Sequence, residues 1–479
     1  MNPITPDISE IICRTKEEYA DSYDTMTWLT PQKAAEASAL RDSLIKAIFD
    51  RPDKGPDWAF AGTKLFTHSL SPGCSLCGSG GWSCLFINGI CNGKCFYCPS
   101  TQTDKAQPVT NTLEFKNPTD YADYVRLFNI RGVSFSGGEP FMTFDRVLSF
   151  LKTLRSRISH PLYIWMYTNG LLVTEDKLKT LRDNGLDEIR FDLSANAYHL
   201  DALKKAVGII PCVTVEIPAI PEDLDKTRPL LKTLNEEGVN YLNLHQLRCT
   251  PFNRSRLTQR NYTFLHGPKV TVLETESAAL ELIRHALDEH IPLPINYCSF
   301  TFRSQFQRAA AMKRNCLIIR AAHEDMTSTG HIRTMSVIGD EKKIRSLHEV
   351  LISKEPDTTL WRTTKSFDQL FFNAALWSHM DFTHVRLKVS YSSTSLEPSV
   401  SFRNPFKEVV LNRKKKVVIE RHTKEPGIFL EGRHIDWFGH EYINPEIAPS
   451  DSMTQALPEE LPDNIDVFES FKPGLAPYY

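Results

Sequence analysis

The sequence predicts an α/β protein: a partial (β/α)6 TIM-like barrel over residues 71–320, an N-terminal helical extension over 1–70 and a C-terminal α+β accessory domain over 321–479. Three observations carry this. From Leu85 to Pro251 short apolar runs alternate with amphipathic helical stretches, the pattern of parallel strands joined by crossover helices. The chain's most distinctive motifs fall at the ends of those runs, where parallel α/β folds place their functional residues. Past residue 335 the alternation stops and strand-like stretches follow one another.

In chain order, Thr30-Pro31 starts a helix, with Thr30 as cap and Pro31 in the first turn, and Ala34 to Phe49 keeps helical spacing. Cys84-Leu-Phe-Ile87 reads as the first barrel strand, and Val133-Ser-Phe-Ser136 as the second, running into Gly137-Gly138-Glu139-Pro140. A helix over 143–158 leads to Tyr163–Tyr167, which ends in Thr168-Asn169-Gly170. Thr174 caps a helix that stops near Gly185, as a C-terminal glycine does. Glu188–Leu193, ending at Ser194, is followed by a helix over 198–207, then Val213–Ile217, a helix over 223–237, and Tyr241–Leu247 as the sixth strand. A helix over 275–290 precedes Asn296-Tyr297-Cys298, and a basic helix runs from Arg303 to Cys316. In the accessory domain, 341–353 reads as a helix, and 383–391, 409–419 and 429–438 as strands, with Arg413–Lys416 at a hairpin. The last 30 residues, rich in Pro, Asp and Glu, read as loose.

The chain is organised around Ile87-Asn-Gly-Ile-Cys91-Asn-Gly-Lys-Cys95-Phe-Tyr97-Cys98-Pro99. Three thiols in one tight loop at a strand end suit zinc or an iron–sulfur cluster, and three are one short of saturating a cubane. The loop resembles the cluster motif of the radical S-adenosylmethionine superfamily, Tyr97 before the third cysteine included. Gly137-Gly138-Glu139-Pro140 resembles that superfamily's second motif, about forty residues on. The resemblance implies a 4Fe–4S cluster on Cys91, Cys95 and Cys98, with S-adenosylmethionine on the fourth iron. It also implies reductive cleavage to a 5′-deoxyadenosyl radical that takes a hydrogen atom from substrate, and an electron donor such as a flavodoxin or ferredoxin. Gly137 to Pro140 would contact the cofactor's amino group, their glycines allowing close main-chain approach. Asn169 and Ser194 are candidates for its ribose, or caps of the next helices. Ile217 and Pro218 are candidates for its adenine.

A second group is Cys74 and Cys77 in Gly-Cys-x-x-Cys, with Cys84, Cys298 and, last, Cys316. A Cys-x-x-Cys is a metal knuckle or a redox pair; redox use wants a helix start after the first cysteine, and Gly78 to Gly81 argue against a helix. The expectation is a second metal site, zinc or an auxiliary iron–sulfur cluster, on Cys74 and Cys77 with Cys298 as distant partner and Cys84 next. Gly73–Cys77 and Asn296-Tyr297-Cys298-Ser299 also resemble uncharacterised relatives of pyruvate formate-lyase activating enzyme. Cys249 reads as a free buried cysteine or a residue facing the barrel mouth.

Net charge of −2 gives no bulk electrostatic case for nucleic acid or membrane, and no apolar run is long enough to span a bilayer. The N-terminus lacks the basic and apolar regions of a signal peptide. Six of the eleven cysteines crowd between Cys74 and Cys98, which in a cytoplasmic chain favours metal over disulfides. The substrate expected is a protein or peptide, held by strand addition to the accessory domain. A tRNA or small-molecule substrate is the rival enzyme reading, and a non-catalytic metal-binding scaffold the rival of another class.

Overall fold

In the computed structural model, residues 8–52, 55–102, 106–355, 357–444 and 465–478 are described. The chain falls into two compact units. One comprises residues 5–307, 411–415 and 473–479; the other holds 308–410 and 416–472. The breaks expected near 70 and 320 are therefore displaced: the N-terminal segment belongs with the barrel, and so do the last seven residues. Of the last 30 residues, expected to be loose, 450–464 and Tyr479 lie outside the described residues, and 465–478 are described. A short helix at Ile465–Glu469 buries Ile465 and Glu469.

The barrel unit begins with α1 (Ile8–Glu18) and α2 (Pro31–Phe49). Thr30 caps α2 by accepting from Lys33 N–H, with Pro31 in the first turn. A hairpin, β1 (Pro56–Ala59) and β2 (Lys64–Thr67), follows. Then comes α3 (Pro72–Ser79), capped by Ser71, whose hydroxyl accepts from Cys74 N–H, and ended by left-handed Gly80. The Cys-x-x-Cys thus lies on a helix, against expectation: Ser71-Pro72 supplies a start signal strong enough to carry Gly73 and Gly78.

The strands that follow are β3 (Trp82–Asn88), β4 (Gly132–Gly137), β5 (Tyr163–Thr168), β6 (Glu188–Phe191), β7 (Cys212–Pro218), β8 (Tyr241–His245) and β9 (Ile295–Cys298). Each pairs parallel with the next. The partial barrel therefore has seven parallel strands rather than six. Asn296-Tyr297-Cys298, three residues long in the sequence pattern, is the seventh. Past it the sheet turns antiparallel through β2 and β1.

Along these strands the residues split by alternation. Leu85, Val133, Phe135, Ile164, Met166, Ile189, Val215, Leu242, Leu244 and Ile295 are fully buried on one face, the face that crossover helices cover in such folds. The other face is polar: Ser134, Arg190, Thr214, Asn243 and Asn296 are also buried there. Cys74 Sγ receives Arg190 Nη1 from β6 at 3.8 Å and Asn296 Nδ2 from β9 at 3.9 Å. Two strands three places apart meet at one atom, so the sheet is rolled around this polar interior and α3 lies within it. Ile217, next to inward Glu216, points outward and is buried. It is therefore withdrawn as an adenine contact.

The second unit is an antiparallel sheet in the order Trp361–Thr363, Gln369–Phe372, Ile332–Ile338, Arg386–Glu397, Lys415–Leu430, Phe406–Asn412, with Asp325–Met326 paired to Ile332–Ile338. A helix at Glu341–Lys354, capped by Asp340, contributes Ile344, Leu347 and Leu351 to its core. The expected α+β character holds. The stretch 429–438 is not a strand: the strand ends at Leu430, and Arg433–Phe438 is helical. Arg413–Lys416 does turn a hairpin, with Asn412 Oδ1 accepting from Lys414 N–H at 2.9 Å.

Candidate metal and cofactor site

The loop after β3 brings the three predicted thiols into one neighbourhood. A Cβ placed on Gly93 would stand 3.4 Å from Cys91 Sγ and 3.6 Å from Cys95 Sγ. Both sulfurs thus flank the same glycine. Gly93 N–H donates to Cys91 Sγ at 3.3 Å, and Asn169 Nδ2 approaches the same sulfur at 3.8 Å. Burial pushes the Cys95 thiol up to about 12, with Asp192 and the two other thiols adding to it; Cys91 is raised for the same first reason. A metal binding here must displace protons. Among the described residues no three His, Cys, Asp or Glu side chains converge on a point that could hold a single metal ion. A tetrahedral zinc would draw its sulfurs to about 3.8 Å of one another, given Zn–S near 2.3 Å.

Gly137 and Gly138 sit where expected, at the end of β4, and the neighbouring loop supplies a reason for glycine that the sequence does not show. Gly137 has φ +116°, and a Cβ on it would lie 2.2 Å from the Asn88 carbonyl oxygen; on Gly138 it would lie 1.9 Å from that of Ile90. Gly138 N–H donates to Asn88 O at 2.9 Å and Glu139 N–H to Ile90 O at 2.7 Å. The glycines let the turn press against the root of the cysteine loop. Glu139 is buried and accepts from Thr168 Oγ1 at 2.9 Å, Asn169 N–H at 2.8 Å and Phe141 N–H at 3.1 Å. Its carboxylate ties β4 to the end of β5, and Pro140 is buried beside it.

Asn169 donates from Nδ2 to Asn92 Oδ1 at 2.8 Å and accepts from Leu171 N–H at 3.0 Å. Ser194 does not cap a helix. Its hydroxyl donates to Asp192 Oδ1 at 2.5 Å and lies 2.6 Å from Tyr97 Oη, which donates to Asp192 Oδ2 at 2.8 Å. Tyr97, the aromatic of the cysteine motif, is thus hydrogen-bonded to the ends of another strand. Asp192 was not singled out from the sequence, although it stands at a strand end like the others. Burial raises its carboxyl to about 6, against the hydrogen bonds from Ser194 and Tyr97.

The second thiol group is assembled in part. Lys64, 1% exposed on β2, lies directly across from Cys298 on β9. Burial works against its charge, but Cys298, Cys74 and Cys77 together outweigh that and raise its pKa. A lysine ammonium therefore interacts with all three of these thiols, and Arg303 Nε donates to Cys298 Sγ at 3.5 Å. Gln307 Nε2 donates to Cys77 Sγ at 3.0 Å. Cys84 stands apart, bonded to Ser134 and Ser136, and Cys316 lies in the other unit. Two cations on the thiols disfavour a metal cation there, and burial drives Cys77 up to about 12. Lys64 carries no motif and was missed; only its place in a hairpin closing on Cys298 reveals it. Arg303, at the start of the expected basic helix, turns toward Cys298. His245, the register neighbour of Cys298, is lowered to about 4 by burial and Arg303 and is neutral at pH 7. Cys249 is buried, as expected, in an apolar cluster with Tyr97 and Leu257.

The profile of the Radical SAM superfamily matches residues 85–209, from β3 through the segment after β6. Over 300 residues the chain is 26% identical to a protein of Methanocaldococcus jannaschii provisionally named a glycyl-radical enzyme activating enzyme; the match covers 60% of this chain and 78% of that one. It is 28% identical over 168 residues to a protein of Methanosarcina mazei provisionally named a GTP 3′,8-cyclase, covering 32% of this chain and 47% of that one. Among solved structures, Streptococcus suis SuiB bound to S-adenosylmethionine matches with TM-score 0.32 and 13% identity over 46% of this chain, and anSMEcpe bound to AdoMet and a peptide with TM-score 0.28 and 15% identity over 34%. The chain spans about half the length of those two. Three clustered thiols after the first strand, a glycine turn packed on their root and the superfamily profile over the same residues agree: the chain carries a Radical SAM domain at residues 85–209 and is similar to a protein provisionally named a glycyl-radical enzyme activating enzyme.

Proposed function

We propose that the protein binds a 4Fe–4S cluster through Cys91, Cys95 and Cys98 and S-adenosylmethionine beside it, and uses them to abstract a hydrogen atom from a protein or peptide. The observation that carries this is the clustering of the loop thiols at the end of β3, where the Cys91 and Cys95 sulfurs both lie within 3.6 Å of the Cβ position of Gly93. Bound there, the cluster and cofactor supply one-electron chemistry able to break an unreactive C–H bond. The chain's own residues do the rest. Asn169 steadies Cys91, while Tyr97, Asp192 and Ser194 offer hydroxyl and carboxylate groups at the strand ends suited to a ribose. Glu139 fixes the turn that roofs the loop's root. A macromolecular substrate is supported by the name of the M. jannaschii relative and by the accessory sheet, whose edge strand Phe406–Asn412 is largely exposed along one end and can accept an added strand. A reduced flavodoxin or ferredoxin fits as electron donor, and the eleven unbonded cysteines fit a reducing cytoplasm.

Anaerobic reconstitution of the full chain, followed by EPR with and without S-adenosylmethionine, tests the site. The reduced wild-type signal should change on adding cofactor, and 5′-deoxyadenosine should appear. The Cys91/Cys95/Cys98→Ala variant should show neither. A variant with undiminished iron and an unchanged signal would remove the assignment, and a wild type that never yields 5′-deoxyadenosine would leave a metal-binding scaffold.

A further inference from the structure

The cysteine loop has no ladder partners of its own, so its carbonyls need donors from elsewhere. One segment, just beyond β8, supplies them. Arg256 Nη1 donates to Cys95 O at 2.9 Å and Arg256 Nη2 to Cys98 O at 3.3 Å. Asn253 Nδ2 donates to Tyr97 O at 2.8 Å, and Thr250 Oγ1 to Pro99 O at 3.2 Å. The Arg260 guanidinium lies 3.5 Å over the Phe96 ring. Asn253 is fully buried, and its own geometry is closed: Oδ1 accepts from Thr250 N–H at 2.7 Å, and Nδ2 also reaches Arg248 O at 2.9 Å. Leu257, one residue past Arg256, is buried in the same apolar cluster as Tyr97 and Cys249. Every contact runs from one short segment to the stretch Cys95–Pro99, more than 150 residues earlier in the chain.

We propose that Arg256, seated by Asn253 and Leu257, is the positioning residue of the cysteine loop, and that its guanidinium also sets the reduction potential of the cluster the loop holds. The proposal rests on the radical SAM reading. The fork of a guanidinium suits two carbonyls at once, whereas an ammonium is a point charge. A cluster on three thiolates becomes more negative on reduction. A fixed positive charge beside two of its ligand residues favours the reduced state, and cluster potentials follow local charge and hydrogen bonding. Asn253 and Thr250 carry no charge, so they hold the loop without tuning it.

The test compares Arg256→Gln, Arg256→Lys and wild type as reconstituted holoenzymes, in an anaerobic redox titration followed by EPR. Removing the charge should lower the midpoint, giving about a tenfold smaller reduced-to-oxidised ratio at fixed potential, about 59 mV for a one-electron couple. Arg256→Lys should restore most of that shift. A fully loaded Arg256→Gln protein that titrates at the wild-type midpoint overturns the electrostatic role. If neither variant holds iron, the charge cannot be what matters, and that role is likewise overturned. Positioning is read separately, without metal, by amide hydrogen exchange of Phe96–Cys98 in the unreconstituted proteins. Faster exchange in Arg256→Gln is expected, and unchanged exchange overturns positioning. A wild type that takes up no cluster defeats the radical SAM reading, whereas the exchange result stands or falls on its own.

Discussion

Cys298 shows how a single side chain changes meaning once its neighbours are known. In the sequence it is a thiol far from a Cys-x-x-Cys, and a shared metal is the economical reading. In the structure cations gather around it. The interior holds Lys64, Arg190 and Arg303 against Glu188 and Glu216, with Arg190 paired to both glutamates at 2.8 and 2.7 Å. That leaves Lys64 and Arg303 without a carboxylate and the named set with one surplus positive charge, and buried charges demand pairing. Ionisation of Cys298 balances the set. Burial alone would raise this thiol, but the Lys64 ammonium and the Arg303 guanidinium outweigh it and hold it below the ordinary range. Cys298 should therefore react with iodoacetamide at a pH where Cys77, driven up to about 12, does not. Mapping the labelled peptides against pH should give a profile for Cys298 displaced to lower pH. Lys64→Gln should move that profile upward and slow labelling about tenfold near pH 7, as a one-unit pKa change would. Equal labelling of Cys77 and Cys298 would contradict the pairing.

At the level of elements, the parallel strands were legible because their two faces differ in polarity while their ends carry the motifs. Thr30-Pro31 and Thr174 were legible as caps because a side-chain oxygen before a helical run has one strong use. The misread elements are those whose signals are short or compete. β9 offers only four residues, the lower limit of a period-2 pattern. In α3, four glycines from Gly73 to Gly81 masked the Ser71-Pro72 start. The strand from Lys415 ends at Leu430 because Gly432 then takes φ +51°, while the apolar spacing runs on into the next helix. At the Gly137-Gly138 turn the sequence shows which residues are small but not that the Asn88 and Ile90 carbonyls press on them. Gly138→Val puts a branched side chain where 1.9 Å separates a Cβ from the Ile90 carbonyl oxygen. Backbone, unlike a flexible side chain, cannot yield cheaply. The variant should lose several kcal/mol of stability, in the range of severe steric changes, about 3 kcal/mol or more, together with its iron. Chemical denaturation and iron analysis would check this. A variant of native stability that binds iron but not S-adenosylmethionine would restore the cofactor explanation.

The scale of the whole molecule is where the sequence was least informative, because the units are assembled from segments far apart in the chain. Composition marked the end of the chain as loose, yet 473–479 group with the barrel unit. Gly474 N–H donates to Ala61 O at 2.7 Å, and Ala476 N–H to Thr301 Oγ1 at 3.1 Å. Ala476 O accepts from Arg41 Nη1 at 2.7 Å, and the Arg41 guanidinium lies 4.2 Å over the Tyr478 ring. Tyr478 Oη also donates to Glu276 on the helix Leu273–Asp288, which packs on α2. Glu276 is buried and accepts from Tyr297 Oη at 2.8 Å as well, so the tail reaches the outward side of β9. A chain cut at 320, the boundary that alternation suggests, would remove this strap along with the accessory unit. Deleting only residues 473–479 isolates the effect. Loss of the Tyr478 bond to buried Glu276 and of the aromatic–guanidinium contact should cost about 1–3 kcal/mol. Hydrogen exchange in α2 and in Leu273–Asp288 should rise while the sheet of the accessory unit keeps its protection. Tyr478→Phe should reproduce a smaller part of the loss, because the ring still meets Arg41. If the deletion leaves exchange in both helices unchanged, the tail is a passive end and the barrel unit closes without it.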